Sequence, residues 1–294
     1  MINVGLYGLW NSLDNTIKNY ISILFPGEDI NIIDDISKYD SNDINIVGDW
    51  FRYNINDLKN KFGVIGNKTP VVRLSFESCH VKRFRYNRAD VVLELDAPYK
   101  ICAGYFDNSY NVDRIIYYPF WLTFSRQFDT LISNKTTNFE ERYENYICDL
   151  TKNTTVKFRE LFYKHIGSNR ISTHARHYCD SDRANKINLI SNYLFNACFE
   201  NCFELGYITE KPVEAMLGGC LPIYNGMFNN DLFPFNKDRM FIFSREEIEQ
   251  FSTDNNLFRT IDKHYLKDKF ELPIFVDNYK DILQELYESI KIEL

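Results

Sequence analysis

Apolar and polar residues alternate in blocks along this chain, and the blocks fall into two halves. In the first half, short apolar runs at 2–7, 44–48, 70–76, 90–95 and 114–118 are separated by polar or turn-forming residues. Runs of this length without strict period-two alternation predict strands buried on both faces, as in a mostly parallel sheet. Between the first two runs, Leu13 to Phe25 places Ile17, Tyr20, Ile21 and Leu24 on one face and predicts a helix. The repeated β-α-β order predicts a Rossmann-like domain. From 125 to 155 the chain turns polar around Ser133-Asn134-Lys135-Thr136-Thr137-Asn138, which sets the expected domain boundary near residue 150.

The second half repeats the alternation. A helix is predicted near 155–166, then a buried strand over the apolar run Tyr193 to Cys198. After a polar loop, Thr209 is a helix N-cap, and Pro212 is tolerated because its missing N–H falls in the first turn. That helix should run to about Leu217, stop at Gly218-Gly219 and feed a short strand, Cys220 to Tyr224. A strand at Met240 to Phe243 precedes a helix from Glu246. A last helix from about Asn278 carries Tyr279, Ile282, Leu283, Leu286, Tyr287 and Ile290 as a packing stripe. The 294 residues suit two domains of about 150 each. The expected division is 1–150 and 151–294, with the final helix free to pack back on the first domain.

Composition narrows the function classes. A net charge of −7 argues against nucleic acid as the main partner. The charge is uneven: residues 28–57 hold eight acidic and two basic side chains, whereas 151–190 hold eight basic and three acidic ones. A locally positive second half suits a nucleoside diphosphate. Seven cysteines without metal-ligand spacing read as free thiols in a reducing compartment. No stretch approaches the ~20 apolar residues of a membrane span, and no signal peptide precedes the strand-like Ile2 to Gly8. A cytoplasmic protein is therefore expected.

The chemistry concentrates in Phe199-Glu200-Asn201-Cys202-Phe203-Glu204-Leu205-Gly206-Tyr207-Ile208-Thr209-Glu210-Lys211. This loop lies at the carboxyl end of a predicted parallel strand, where open α/β sheets bind ligands. The free amides of the next helix, with Lys211, make a seat for a diphosphate. Glu210 beside them can accept hydrogen bonds from a ribose or a sugar.

Phe199-Glu200-Asn201, a five-residue gap, Tyr207-Ile208-Thr209-Glu210-Lys211 and then Leu221-Pro222-Ile223-Tyr224 closely resemble the signature of α1,3/α1,4-fucosyltransferases. The resemblance implies an α/β GT-B fold: two Rossmann-like domains facing a central cleft, the first binding the acceptor and the second the donor. It also implies transfer of L-fucose from GDP-fucose, with inversion, to a hydroxyl of an oligosaccharide acceptor, in the family a GlcNAc-type residue at its 3-position. Ser75-Phe76-Glu77-Ser78 resembles the family segment with the general base, which puts that role on Glu77. Arg159 in Lys157-Phe158-Arg159-Glu160 resembles the donor-phosphate arginine. Asn201, Tyr207, Glu210 and Lys211 match donor-binding positions. No metal and no cofactor are implied, GDP-fucose being the substrate. Two departures stand out: Cys202 where Ser or Thr is usual, and Pro212 where a large apolar residue is common. The stretch 167–183 matches nothing in the family.

Other readings stay open beside this one. The donor can be another GDP-sugar, or the chain can be a non-catalytic sugar-nucleotide-binding module, although such a module has no use for Glu77. His80, three residues on, is a rival base. Asp180-Ser181-Asp182 reads as a solvated turn rather than a metal pair, because no apolar strand precedes it. Lys82 to Arg88 interleaves basic and aromatic residues and reads first as a solvated helix face, then as a grip on an acceptor.

Overall fold

The computed structural model describes residues 1–9, 21–49, 51–75, 92–104, 111–133, 138–144, 147–150, 162, 171–173, 183–228, 232–244, 247 and 261–293. Its residues group into two units, Met1–Thr123 with Gln284–Leu294, and Phe124–Leu283.

The apolar runs of the first unit become strands with little exposed surface. β3 (Ile44–Val47) and β4 (Val71–Ser75) are buried at every position. With β1 (Ile2–Tyr7), β2 (Ile30–Ile33), β5 (Lys100–Gly104) and β6 (Arg114–Tyr117) they form one sheet in the order β2-β1-β3-β4-β5-β6. Every neighbouring pair is parallel. Parallel strands need covered faces, and here Tyr7, Tyr39, Val47, Phe51, Leu58, Val71 and Val92 gather in one core. The stretch 90–95 differs from expectation. Within it Val92 to Glu94 make a 3₁₀ turn, closed by Leu95 N–H to Val92 O at 3.3 Å. Val92 and Leu95 are buried while Glu94 is exposed. An i, i+3 spacing of this kind fits a helical turn, and the sheet instead takes the next run, β5. Of the predicted helix 13–25, only residues 21–25 are described: Ile21 to Leu24 are helical, and Phe25 follows them with its N–H donating to Ile21 O at 3.0 Å.

The second unit holds β7 (Ile147–Asp149), β8 (Ile171–Thr173), β9 (Phe195–Phe199), β10 (Leu221–Asn225) and β11 (Phe241–Ile242). Their order is β11-β10-β9-β7-β8, again parallel throughout. Taken in chain order this is the sequence 2-1-3-4-5, the pattern of the first five strands of the other sheet. Its described helices include α1 (Phe128–Ser133), α2 (Phe139–Glu144), α3 (Arg183–Ile190), α4 (Glu210–Leu217) and α5 (Lys263–Glu271). Phe139, Phe162, Leu194, Phe195, Phe199, Leu221, Ile223 and Leu266 form the core beneath them.

The division falls at 123/124, just before the polar stretch 125–155 and earlier than the boundary expected near 150. The reason is β7: residues 147–149 pair with β8 and β9 and so belong to the second sheet. The last helix, α6 (Tyr279–Ile290), runs across the second boundary, and its end returns to the first unit. There Arg114 donates to Ser289 O at 2.6 Å and Lys291 O at 2.9 Å, and Ile292 N–H donates to Leu24 O. No helix among the described residues is long and apolar enough to cross a membrane.

Candidate functional site

β9 lies between β7 and β10 and is buried at all five positions. The chain turns one way from β7 to β8 and the other way to β9, so the sheet's switch point lies at the carboxyl ends of β7 and β9. Ligands of open α/β sheets bind there. Asp149 closes β7, fully buried, opposite Ala197. Glu200 comes directly after β9 and is likewise fully buried.

A buried carboxylate is costly unless its oxygens are bonded. Glu200 has four donors. Thr209 N–H reaches Oε1 at 2.8 Å and the Tyr224 hydroxyl reaches it at 3.3 Å. Thr209 Oγ1 gives its proton to Oε2 at 2.7 Å, and Lys211 Nζ donates to the same oxygen at 3.1 Å. Thr209 is the N-cap of α4, in extended conformation, as expected from sequence. Its oxygen also accepts from Lys211 Nζ at 2.8 Å and, at 3.5 Å, from Lys211 N–H. Strand end, cap and first helical turn are thus joined by side chains.

Around this group the loop is held by backbone bonds. Gly206 has φ +78°, a left-handed value that favours glycine, and donates to Met227 O at 2.9 Å. Gly226 is needed for a different reason, because a Cβ there would lie 2.2 Å from the Tyr224 hydroxyl. Cys198, fully buried, gives its thiol to Asn196 O or Lys211 O, each at 3.3 Å. Burial pushes that thiol well above its ordinary range.

The residues expected from sequence fall into two groups. Lys211 and Glu210 sit together in the first turn of α4, 22% and 17% exposed, with Nζ 4.0 Å from Glu210 Oε1. They present an ammonium and a carboxylate at a helix N-terminus. Asn201 is half-buried at the start of the loop, and Tyr207 is buried at its end. Glu77 and Arg159 lie outside the described residues, as do His80 and 180–182. The strand leading to Glu77, β4, ends at Ser75, and within it Arg73 donates to Asp49 Oδ1 at 2.9 Å.

Sequence reasoning assigned no role to Glu200, Tyr224 or Asp149. For the first two, the signal is a register, since Tyr224 pairs with Cys198 and Asn225 with Phe199, bringing the tyrosine ring beside the end of β9.

The far end of α4 is also built up. Arg142, from α2, donates to Gly218 O at 2.8 Å, and Arg239 to Gly219 O at 3.1 Å. The two buried guanidiniums lie 5.3 and 5.5 Å from the Phe270 ring. Cations at a helix C-terminus oppose its negative end, and Arg239 also donates to Phe270 O and Leu272 O where α5 ends.

No protein-family model matches the chain. The α-(1,3)-fucosyltransferase FucT of Helicobacter pylori is 48% identical to it over 42 residues, 14% of this chain and 9% of that protein. The match therefore spans less than a tenth of that relative's length. Over the whole chain the fold is that of solved α1,3-fucosyltransferase structures. One aligns with a TM-score of 0.60 at 18% identity, over 98% of this chain and 89% of the other. Another, solved with GDP-fucose, aligns at 0.57 over 100% and 91%, and a third, with GDP, at 0.58 over 98% and 89%, both also at 18% identity. This chain thus has the two-sheet GT-B fold of the α1,3-fucosyltransferases and, over one short stretch, close similarity to the sequence of one of them.

Proposed function

We propose that the chain is a fucosyltransferase of the α1,3 family, working in the cytoplasm and moving L-fucose from GDP-fucose to a hydroxyl of an oligosaccharide acceptor with inversion. The observation that carries this reading is the first turn of α4. A capped helix N-terminus with a partly exposed lysine and glutamate stands at the switch point of a parallel sheet. Such a place favours a diphosphate through amides, dipole and ammonium together. In this reading Lys211, the amides of α4 and Arg159 meet the charge of the diphosphate, so that no metal is needed. Glu210 takes ribose or sugar hydroxyls. Asn201 and Tyr207 complete the donor side.

The reaction is one displacement. The acceptor oxygen bonds to the anomeric carbon as the bond from that carbon to the β-phosphate oxygen breaks. The electron pair leaves with GDP, and the acceptor proton passes to Glu77. Transfer of this kind has an oxocarbenium-like transition state, so negative charge grows on the diphosphate where fixed donors are worth most. General-base help is typically worth about 10²–10⁴ in rate. Glu77→Gln should therefore lower kcat about a hundredfold or more and leave GDP-fucose affinity nearly unchanged. Near-normal turnover would move the base to His80.

The reading is tested first by thermal unfolding with GDP, UDP, dTDP and CMP and their sugars. A ligand at about a hundred times its Kd stabilises by about 2.7 kcal/mol. Stabilisation by GDP and GDP-fucose, and not by UDP-sugars, is expected. If no guanine nucleotide moves the transition, the donor assignment fails.

A further inference from the structure

We propose that Glu200 is a positioning residue whose carboxylate fixes the ammonium of Lys211 for the donor's diphosphate. This rests on the reading of Lys211 as a phosphate ligand. A lysine side chain is a point charge on a flexible four-carbon stem, with much rotamer freedom to lose. Here Nζ is held from two sides, by Glu200 Oε2 at 3.1 Å and by Thr209 Oγ1 at 2.8 Å. Both holders are more than nine-tenths buried, and both are fixed in turn, Glu200 by Thr209 N–H and Tyr224 and Thr209 by its place as helix cap. The ammonium is thereby set at the N-terminus of α4 before any ligand arrives. Pre-organised charge is what a site needs when negative charge grows during reaction.

The carboxylate has a cost, since it is a negative charge behind the cation. Magnitudes decide between the two effects. At an effective dielectric of about 20, a phosphate charge about 3 Å from the ammonium gains about twice what it loses to a carboxylate about 6 Å away. The fixed cation outweighs the buried anion, and both Glu200 oxygens face inward to donors. Among the described residues, Glu210 Oε1 also lies 4.0 Å from Nζ, the Cys198 thiol bonds to the Lys211 carbonyl, and the Tyr224 hydroxyl faces the same carboxylate as Nζ, that of Glu200.

The test is a double-mutant cycle of Glu200→Gln and Lys211→Met, read as GDP affinity by calorimetry. Tyr224→Phe is the control, because it removes a bond to the same carboxylate without touching the lysine. A charged hydrogen bond is worth enough that Glu200→Gln should weaken GDP about tenfold. In the Lys211→Met background the same change should cost less than about twofold, since the two residues act as one. Tyr224→Phe should stay within about twofold of wild type. An equal loss in both backgrounds would make Glu200 a structural residue only. Tighter GDP binding by Glu200→Gln would make it a competing charge, and either result overturns the proposal. If Glu200→Gln does not fold, Thr209→Val, which removes the hydroxyl joining the pair, replaces it in the cycle.

A second readout needs no nucleotide. Labelling of Lys211 by an amine-reactive reagent, mapped by peptide mass spectrometry, should speed up severalfold in Glu200→Gln. Unchanged labelling overturns the positioning role. If wild type fails to bind GDP while labelling responds, the donor reading falls and the fixing of Lys211 by Glu200 stands.

Discussion

Thr209 serves three partners with one hydroxyl. It gives its proton to Glu200, accepts from the Lys211 ammonium and caps the helix. The cap bond, at 3.5 Å, is the longest of the three, so the hydroxyl's main work is to join the acid and the base. Thr209→Val keeps the shape and removes all three interactions. It should lower stability by about 1–2 kcal/mol, measured by urea unfolding, with Thr209→Ser close to wild type. Gly226→Ala should act on the same group from the other side, by pushing the Tyr224 hydroxyl off Glu200. Its unfolding midpoint should fall further than that of Tyr224→Phe, which removes the bond without adding a clash. At this scale the site was half legible. Thr209, Glu210 and Lys211 carry local helix-start signals, and the structure places them where those signals point. Glu200 and Tyr224 meet only through the pairing of β9 with β10, and no local pattern encodes that register.

At the scale of elements, α4 is the piece most fully specified by its own sequence. Its cap, its proline in the first turn and the glycines at its end all fall where helix chemistry puts them. What the sequence does not display is the support at its C-terminus, where Arg142 and Arg239 arrive from distant segments. Arg239 offers donors to three carbonyls at once. Arg239→Leu would strand buried acceptors that each cost about 1–3 kcal/mol when left unbonded. A loss of about 3 kcal/mol or more is expected by denaturant unfolding, and a loss under about 1 kcal/mol would show that water replaces the guanidinium. The strands show the same split. β3, β4, β9 and β10 are buried, β-branched or aromatic, and readable. β2 and β8 are edge strands, and β5 ends in the small residues Cys102, Ala103 and Gly104. The β5 run carries little hydrophobic signal, so the sheet finds it by pairing rather than by propensity.

For the whole molecule, the buried hydroxyls and thiols set an alkaline limit. Burial raises Tyr7 to about 12 and lifts Tyr39 as well, in the first unit. In the second unit, burial lifts the thiols of Cys148 and Cys198. Linkage gives the sign: the folded chain keeps protons that the unfolded chain releases from about pH 9 for thiols and about 10 for tyrosines. Their contribution is whole below about pH 9 and is lost as pH rises toward the folded values. Urea midpoints should fall from about pH 9 to about pH 11, and Cys148→Ala with Cys198→Ala should flatten the first part of that fall. A profile level to about pH 11 would count against the burial of these groups.

The return of the chain's last described residues to the first unit bears on the order of events during synthesis. Roughly 160 residues separate Thr123 from Gln284, and at about 5–20 residues per second a ribosome needs roughly 10–30 s to make them. Throughout that interval the Arg114 guanidinium and the Leu24 carbonyl wait for Ser289, Lys291 and Ile292. The unit that starts first is therefore the one that finishes last, and the later-made half, whose strands all lie within one continuous stretch, can close while its predecessor is still incomplete.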